Sequence, residues 1–279
     1  MLRAIAALVC ALAVSPTLAR CQSKPASEQG AAPATVLSPQ ARDKLMQQAR
    51  QSYYILHAHG FQEFHCQVLL DWDTMYSNID VDTVGREQLL PMLKKMQIQI
   101  AVGPTGAVNV SHESDVAPLS DDVAARMRQS TGGIEQLLTG FFQTWSQFAI
   151  DTMFPDVGSD YQMEAIGDRY RVTQKDSSGE VVLEMNHDLV MDRMHVATSK
   201  VNGNVDPVFT PGKGGLMLTG YEGNVRSEGG PAQQLTVKVT YQDVDGFQLP
   251  HAVTALIARP SGGPINLPLT FATCHAKGK

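Results

Sequence analysis

Basic residues are few in this chain and nowhere concentrated. The 279 residues hold 22 Lys and Arg against 28 Asp and Glu, giving a net charge of −6, and Lys94-Lys95 is the longest basic run. A nucleic-acid-binding surface needs a clustered basic face to contact phosphates, so this distribution argues against nucleic acid as a partner. Apolar residues make up 43% of the chain, which is enough for a folded core.

Catalytic signatures are also missing. Ser159 follows Gly158, but the chain contains no G-x-S-x-G, the turn that exposes the nucleophile of many hydrolases. The Gly-rich segment PGKGGLMLTG precedes a predicted strand, so it lacks the helix N-terminus that a phosphate-binding loop uses. We therefore predict no catalytic residue, no cofactor and a non-enzymatic protein. An exported hydrolase stays as an alternative, for which the sequence offers no nucleophile.

The histidines form no metal-binding pattern. His57 and His59 stand two residues apart at the end of a predicted helix, where they face different directions. His112-Glu113 lacks the second histidine of H-E-x-x-H. The segment NHDLVMDRMH could bring its histidines and aspartates together in a hairpin, but a polar turn and an exposed strand face explain the same residues. We predict no metal site.

Only the N-terminus carries a long apolar run. MLRAIAALVCALAVSPTLA has a basic start at Arg3, an apolar centre and a small residue at Ala19, a pattern typical of a secretory signal peptide cleaved after Ala19. No later stretch approaches the roughly 18 apolar residues of a membrane-spanning helix. The mature protein is therefore expected outside the cytoplasm, most simply in a bacterial periplasm, with contact to a membrane limited to its surface.

Cysteine is scarce, with four residues in the chain. Cys10 would leave with the signal peptide, so an odd number remains in an oxidising compartment. We predict a disulfide between Cys66 and Cys274. Cys21 stands close to the position of a bacterial lipoprotein cysteine, although Arg20 occupies a place where that motif has a small residue. Lipidation of Cys21, and ordinary cleavage that leaves Cys21 free or mispaired, both stay open.

The rest of the chain divides into a tether and one domain. Residues 20–37 are rich in Ala, Pro, Ser, Gln and Gly, which predicts a flexible tether between the signal peptide of residues 1–19 and a single domain of residues 38–275. Ser38 and Pro39 predict the start of a helix that ends at Gly60. FHCQVLLDWD alternates, which predicts a strand with one apolar face. A short helix at residues 86–92 and a hairpin at 97–111 with a GPTG turn follow.

Residues 118–154 are predicted to be helical, and this helix carries the longest apolar face in the sequence. Ser120 is a start signal, Gly132-Gly133 is expected to break or kink the helix, and Pro155 to end it. The second part places Ile134, Leu137, Leu138, Phe141, Phe142, Trp145, Phe148 and Ala149 on one face.

From Tyr161 onward the pattern is strand and turn, including a meander over residues 170–198. With the earlier strands this predicts about eight to ten antiparallel strands. A sheet that large must bury its apolar face or curl, and the helices are the only large apolar partners. We therefore predict an α+β fold, a curved antiparallel sheet wrapped around two or three helices. Pro250 cannot donate a ladder hydrogen bond, which predicts an edge, a bulge or a strand start there, beside a tight Asp245-Gly246 turn.

The segment VTYQDVDGFQLPHAV, with the pattern Y-x-x-V-x-G-F-x-L-P from Tyr241 to Pro250, resembles a hairpin of the periplasmic lipoprotein-carrier superfamily. That superfamily includes outer-membrane lipoprotein-sorting proteins and related lipid-binding lipoproteins. The order of elements from residue 38 to 275 and the rhythm of VVLEMNHDLVMDRMHV are also similar. The resemblance implies a half-open β-barrel, closed by helices, that holds acyl chains in its hollow.

Two functions from different classes follow from these patterns. The first is a binding protein that holds a lipid or an acylated lipoprotein in an apolar cavity between the sheet and the long helix. The second is a structural or interaction protein of the same fold, whose core is filled by its own side chains. For the first, the predicted ligand-binding residues are Phe64, Val68, Leu70, Trp72, Leu137, Leu138, Phe141, Trp145 and Phe148.

Overall fold

A computed structural model describes residues 34–77, 85–113, 120–199, 201–227, 232–258 and 264–279. The predicted signal peptide, Cys21 and the tether up to residue 33 lie outside these residues. The described part is an antiparallel sheet with four α-helices, which confirms the α+β class. The predicted tether extends to Leu37, but Ala34–Val36 form a short strand, because their backbone pairs with a strand of the domain.

The thirteen strands of the described residues form one open sheet. Its order is β1-β5-β6-β7-β8-β9-β10-β11-β12-β13-β2-β3-β4, and each neighbouring pair is antiparallel. The strands are β1 Ala34–Val36, β2 Phe61–Leu70, β3 Gln97–Val102, β4 Val108–Glu113, β5 Gln162–Ile166, β6 Arg169–Asp176, β7 Gly179–Asn186, β8 Met191–Thr198, β9 Val201–Gly212, β10 Gly215–Ser227, β11 Ala232–Val244, β12 Phe247–Ile257 and β13 Ile265–Gly278.

The sheet has more strands than the sequence predicts. Strand β9, VNGNVDPVFTPG, is one that the sequence patterns miss, because Asn, Gly and Pro are depleted in strands. Its alternation is nevertheless regular, with Val201, Gly203 and Val205 buried and the residues between them exposed. Burial of one face against the core decides its conformation over the local propensities.

The helices are α1 Pro39–Ser52, α2 Trp72–Ser77, α3 Leu90–Leu93 and α4 Asp121–Ala149. Ser38 caps α1 as predicted, but the helix ends at Ser52, not Gly60, because Tyr53 is extended and Tyr54 N donates to Leu216 O at 3.0 Å. Gly60 instead ends a short 3₁₀ turn, Leu56–His59, with a φ of 80°. Trp72 begins α2, so the alternating strand stops at Leu70.

Helix α4 is continuous over 29 residues. Ser120 Oγ accepts from Val123 N at 3.3 Å, which confirms the predicted start. Of the break or kink predicted at Gly132-Gly133, the break is wrong. Each glycine costs about 1 kcal/mol relative to alanine, and packing of the apolar face on both sides of the pair outweighs that penalty. The helix ends at Ala149, six residues before Pro155.

Aromatic rings join α4 to the sheet. Phe142 contacts Phe271 of β13 with ring centroids 5.3 Å apart, and Trp145 contacts Phe64 of β2 at 6.2 Å. Phe148 reaches Phe209 of β9 at 6.0 Å. The apolar face predicted for this helix is therefore its packing face, and it crosses several strands.

The disulfide between Cys66 of β2 and Cys274 of β13 is present, as predicted. It joins two neighbouring strands whose cysteines are 208 residues apart in sequence. The bond therefore ties an early strand of the domain to the last one.

Around Pro250, the neighbouring strands β12 and β13 each contain a bulge. Register shifts lie between Pro250 and Ala252 in β12, and between Ala272 and His275 in β13. Gln242 Nε2 donates to Pro250 O at 3.2 Å and to Phe271 O at 3.0 Å, holding the two irregular segments together. A proline is tolerated here because the ladder is already interrupted. Of the three predicted placements, an edge, a bulge or a strand start, the structure has the bulge.

Candidate functional site

An apolar cleft lies between the middle of α4 and the inner face of strands β10–β13. Leu137, Gly140 and Phe141 line it from the helix, with Gln136 and Thr144 beside them. The strands contribute Tyr221, Leu235, Val237, Val253, Ala255 and Leu269.

The cleft exists because small residues face each other across the packing interface. Gly140 presents no side chain on α4, and Ala255 presents only a methyl group on β12. Phe142 and Trp145, two and five residues after Gly140, carry rings that are buried against the sheet. The cleft therefore lies where the aromatic packing of α4 stops.

The volume of the cleft is about 40 Å³. That is enough for a few water molecules, each of which needs roughly 10–15 Å³ of such space. Small-molecule sites generally measure about 300–1,000 Å³. An acyl chain therefore fits only if α4 moves away from the strands.

Two of the predicted ligand-binding residues, Leu137 and Phe141, line the cleft. The others belong to the core around it: Phe64, Val68, Trp72, Leu138, Trp145 and Phe148 are buried, and Leu70 is half-buried against them. The structure does not bring all nine residues to one cavity. The strand residues of the lining were not predicted, although the alternation of β11, with Leu235 and Val237 on one face, was a usable signal.

A buried hydrogen-bond relay fixes α4 next to the cleft. Trp145 Nε1 donates to Tyr241 Oη at 3.0 Å, and the Tyr241 hydroxyl donates to Leu218 O at 2.5 Å. Leu218 lies at the bulge of β10. The relay thus ties the helix to an irregular point of the sheet, where a backbone carbonyl is available.

The tyrosines of this region are held neutral. Burial raises the pKa of Tyr241 and of Tyr221 far above the ordinary tyrosine value, with hydrogen bonds from Trp145 and Thr144 as smaller opposing effects. In the part of the chain that the structure describes, no Asp, Glu, Lys or Arg lines the cleft. The cleft is therefore uncharged, and its chemistry suits an apolar ligand.

A second cavity, of about 260 Å³, opens at the C-terminal end of α4. Its walls come from Ser146, Ile150 and Asp151, from Pro104 and Thr105 in the β3–β4 turn, and from Gln174 and Val181 on β6 and β7. It shares no lining residue with the apolar cleft. No sequence pattern predicts it, because its walls, which also include His57, come from segments that are far apart in the chain.

The polar residues considered as metal ligands have other partners. Asp192 pairs with Arg169, and His195 Nδ1 lies 2.8 Å from Asn204 Oδ1. Among the described residues, no three His, Cys, Asp or Glu side chains are placed to hold a metal ion. In the same part of the chain, no helix has the length and apolar character needed to span a membrane.

Comparison of the chain with family models, with curated proteins and with solved structures gave no match. The proposed function therefore rests on the geometry of the apolar cleft and its surroundings.

Proposed function

We propose that this is an exported, non-enzymatic protein that binds an apolar chain, from a lipid or an acylated lipoprotein, between α4 and strands β10–β13. In this proposal the sheet acts as a half-open barrel and α4 as its lid. The observation that supports it is the uncharged apolar cleft between these elements.

The apolar surface extends past the cleft along the strands. Paired side chains on the inner face form rows that cross β11, β12 and β13. Val237, Ala255 and Leu267 form one such row. Two residues further along, on the same face, Leu235 pairs with Ile257 and Ile257 with Ile265. This outer row is only partly buried. A chain that enters the cleft would find a continuous apolar path toward the end of the sheet.

Binding requires α4 to move, because the cleft of about 40 Å³ must reach at least roughly 300 Å³. Gly132-Gly133 lies one to two turns before the cleft residues of the helix. Among the described residues, no heavy atom outside the adjacent residues and the local helix backbone lies within 4 Å of a Cβ built on either glycine, so no other described element packs directly against this point. Glycine-containing pairs are common points of helix kinking. We infer that α4 bends there when the cleft opens.

The disulfide supports export of the protein. Disulfides form and persist in oxidising compartments such as the periplasm, and Cys66 and Cys274 are bonded. This agrees with the signal-peptide pattern of residues 1–19 and favours a periplasmic location. Lipidation at Cys21 would add an anchor to the membrane surface, and mass spectrometry of the mature protein distinguishes an acylated Cys21 from a free thiol.

A second candidate is a structural or interaction protein with a filled core. The observation in its favour is the small volume of the cleft, since the side chains of the closed conformation already fill most of the interior. A hydrophobic dye added to the native protein separates the two: enhanced fluorescence favours the binding protein, and none favours the filled core.

The direct test is binding of a fluorescent fatty acid to two matched variants. Ala255→Phe places a ring in the cleft, whereas Ala252→Phe places the same ring on the opposite face of β12. We expect Ala255→Phe to lose binding and Ala252→Phe to retain it, with thermal unfolding checked for both because overpacking costs about 1–3 kcal/mol. Equal binding by the two variants, or no binding by the unmodified protein, would contradict the proposal.

A further inference from the structure

The cavity at the C-terminal end of α4 has a chemical character of its own. We propose that it binds a small aliphatic primary ammonium group. The cavity of about 260 Å³ lies just below the size range of drug-sized ligands, so it suits a short chain. Since it shares no residue with the apolar cleft, the inference goes beyond the lipid-binding proposal and does not depend on it.

The end of α4 supplies negative partial charge to the cavity. Ile150 N and Asp151 N both donate to Ser146 O at 3.0 Å. Because Asp151 N donates to Ser146 O, the carbonyl of Gln147, which lines the cavity, accepts no hydrogen bond from the described residues. Unpaired carbonyls at a helix C-terminus attract cations.

The side chains that line the cavity also favour a cation. Asp151 adds a carboxylate, of which Oδ1 accepts from Thr152 N at 2.9 Å, so its second oxygen is available to a ligand. Among the described residues, no Lys or Arg lines the cavity, and His57 is the one basic side chain in its wall. An anion would therefore meet a carboxylate and a helix C-terminus with no fixed positive charge to pair with.

The lining also distinguishes among cations. Its described residues include no Phe, Tyr or Trp, so they offer none of the aromatic faces that recognise quaternary ammonium groups. The Gln147 and Gln174 amides line the cavity and make no hydrogen bond with other described residues. Their oxygens, the Asp151 carboxylate and the backbone carbonyl of Gln147 can accept the three N–H donors of a primary ammonium group. Ile150, Met153 and Val181 offer apolar contact to its methylene groups.

The test is titration of the mature protein with n-butylammonium, followed by amide chemical shifts in NMR. We expect saturable shifts at residues 146–153, and no saturation with n-butyrate or tetramethylammonium. Asp151→Asn should weaken binding about fivefold, the effect of losing one exposed ion pair. Asp160→Asn, which removes an exposed carboxylate outside the cavity, should leave binding unchanged.

A second variant tests the location without changing charge. Thr105 is exposed in the β3–β4 turn and lines the cavity, so Thr105→Trp should obstruct it and abolish the shifts, whereas Thr105→Ser should not. Equal binding of n-butyrate, absence of saturable n-butylammonium binding, or full binding by both Asp151→Asn and Thr105→Trp would overturn the proposal. Fatty-acid binding by these variants is expected to be unchanged, so this proposal and that of the apolar cleft can fail separately.

Discussion

Strands β10–β13 and strands β5–β8 belong to one sheet but cover their inner faces with different side chains. Phe141, Phe142 and Trp145 of α4 pack on the first group, which we call the aromatic half. The second group, the methionine half, buries Met163, Met185, Met191 and Met194. Rings pack with preferred geometry, whereas methionine adapts to irregular gaps.

This difference explains where the apolar cleft lies. In the aromatic half, stiff rings leave a gap where Gly140 and Ala255 provide no large side chain. The outer face of the methionine half is held by ion pairs instead, with Glu184 Oε1 2.9 Å from Arg171 Nη2 and Glu184 Oε2 3.7 Å from Arg193 Nη1. The two halves should therefore respond differently to substitution.

The largest effect is expected from the bond that closes the aromatic half onto β2. Replacing Cys66 and Cys274 together by alanine removes a cross-link between residues 208 positions apart. For a loop of that length the chain-entropy model gives a loss of about 5 kcal/mol. Urea unfolding of the double variant and of the unmodified protein measures the difference. Two free thiols in the unmodified protein under non-reducing conditions would contradict the bond.

Two substitutions, one in each half, test the difference between the aromatic half and the methionine half. Phe142→Ala should lower the free energy of unfolding by about 3–5 kcal/mol, because Phe142 is fully buried among rings. Met185→Leu, equally buried in the methionine half, should cost less than about 1.5 kcal/mol. The comparison fails if the two variants lose similar stability.

Alkaline pH should weaken the contact between Tyr53 and the methionine half. The Tyr53 hydroxyl donates to Leu189 O and accepts from Met191 N at 2.7 Å, and burial raises its pKa from 10.0 to about 12. Because the folded-state pKa is the higher one, this stability is fully present below pH 10 and is lost as the pH rises toward 12. The shift corresponds to roughly 3 kcal/mol.

Thermal unfolding between pH 9 and 12, compared with Tyr53→Phe, tests that expectation. The variant should show a smaller decrease over the same interval, because it has no hydroxyl to ionise. Identical pH profiles for the two proteins would rule out Tyr53 as the group responsible.

The relay at Tyr241 is the equivalent contact in the aromatic half. Tyr241→Phe leaves Trp145 Nε1 and Leu218 O without their partner, and an unpaired buried polar group costs about 1–3 kcal/mol. Since the relay holds α4 against the sheet, the variant should also bind a fluorescent fatty acid faster. A loss of stability with an unchanged association rate would mean that α4 is not the lid.

The smallest effect is expected on the outer face of the methionine half. Glu184→Gln removes a carboxylate that three arginines approach, Arg169, Arg171 and Arg193. These arginines are substantially exposed, so the loss should be about 1 kcal/mol or less and should decrease with added salt. Unfolding at low and high ionic strength measures it, and a loss that salt does not change would point to packing instead.

Local patterns predicted much of this fold. Neighbouring residues were enough to predict the helix start at Ser120, the strand in FHCQVLLDWD and the apolar face of α4. Caps and periodicity depend on residues that are close in sequence. A break at Gly132-Gly133 was expected and strand β9 was missed for one reason. In both cases burial against distant segments outweighs the local preference, and a single sequence does not show which segments meet.

The cleft was predicted only in part for the same reason. Leu137 and Phe141 were identified from the helix, but Val253, Ala255 and Leu269 depend on the registers of β11, β12 and β13. The cavity at the end of α4 was not predicted, since its polar residues are far apart in sequence. The disulfide was predicted because few cysteines limit the number of pairings.

The most direct test of the central claim is photo-crosslinking with a fatty acid that carries a diazirine on its acyl chain. After irradiation and digestion, mass spectrometry locates the modified residues. Binding between α4 and the aromatic half predicts adducts on peptides that contain Leu137, Phe141, Val237 or Ala255, and their loss in Ala255→Phe. Adducts confined to the outer face of the sheet, or no adducts that excess unlabelled fatty acid prevents, would contradict the claim.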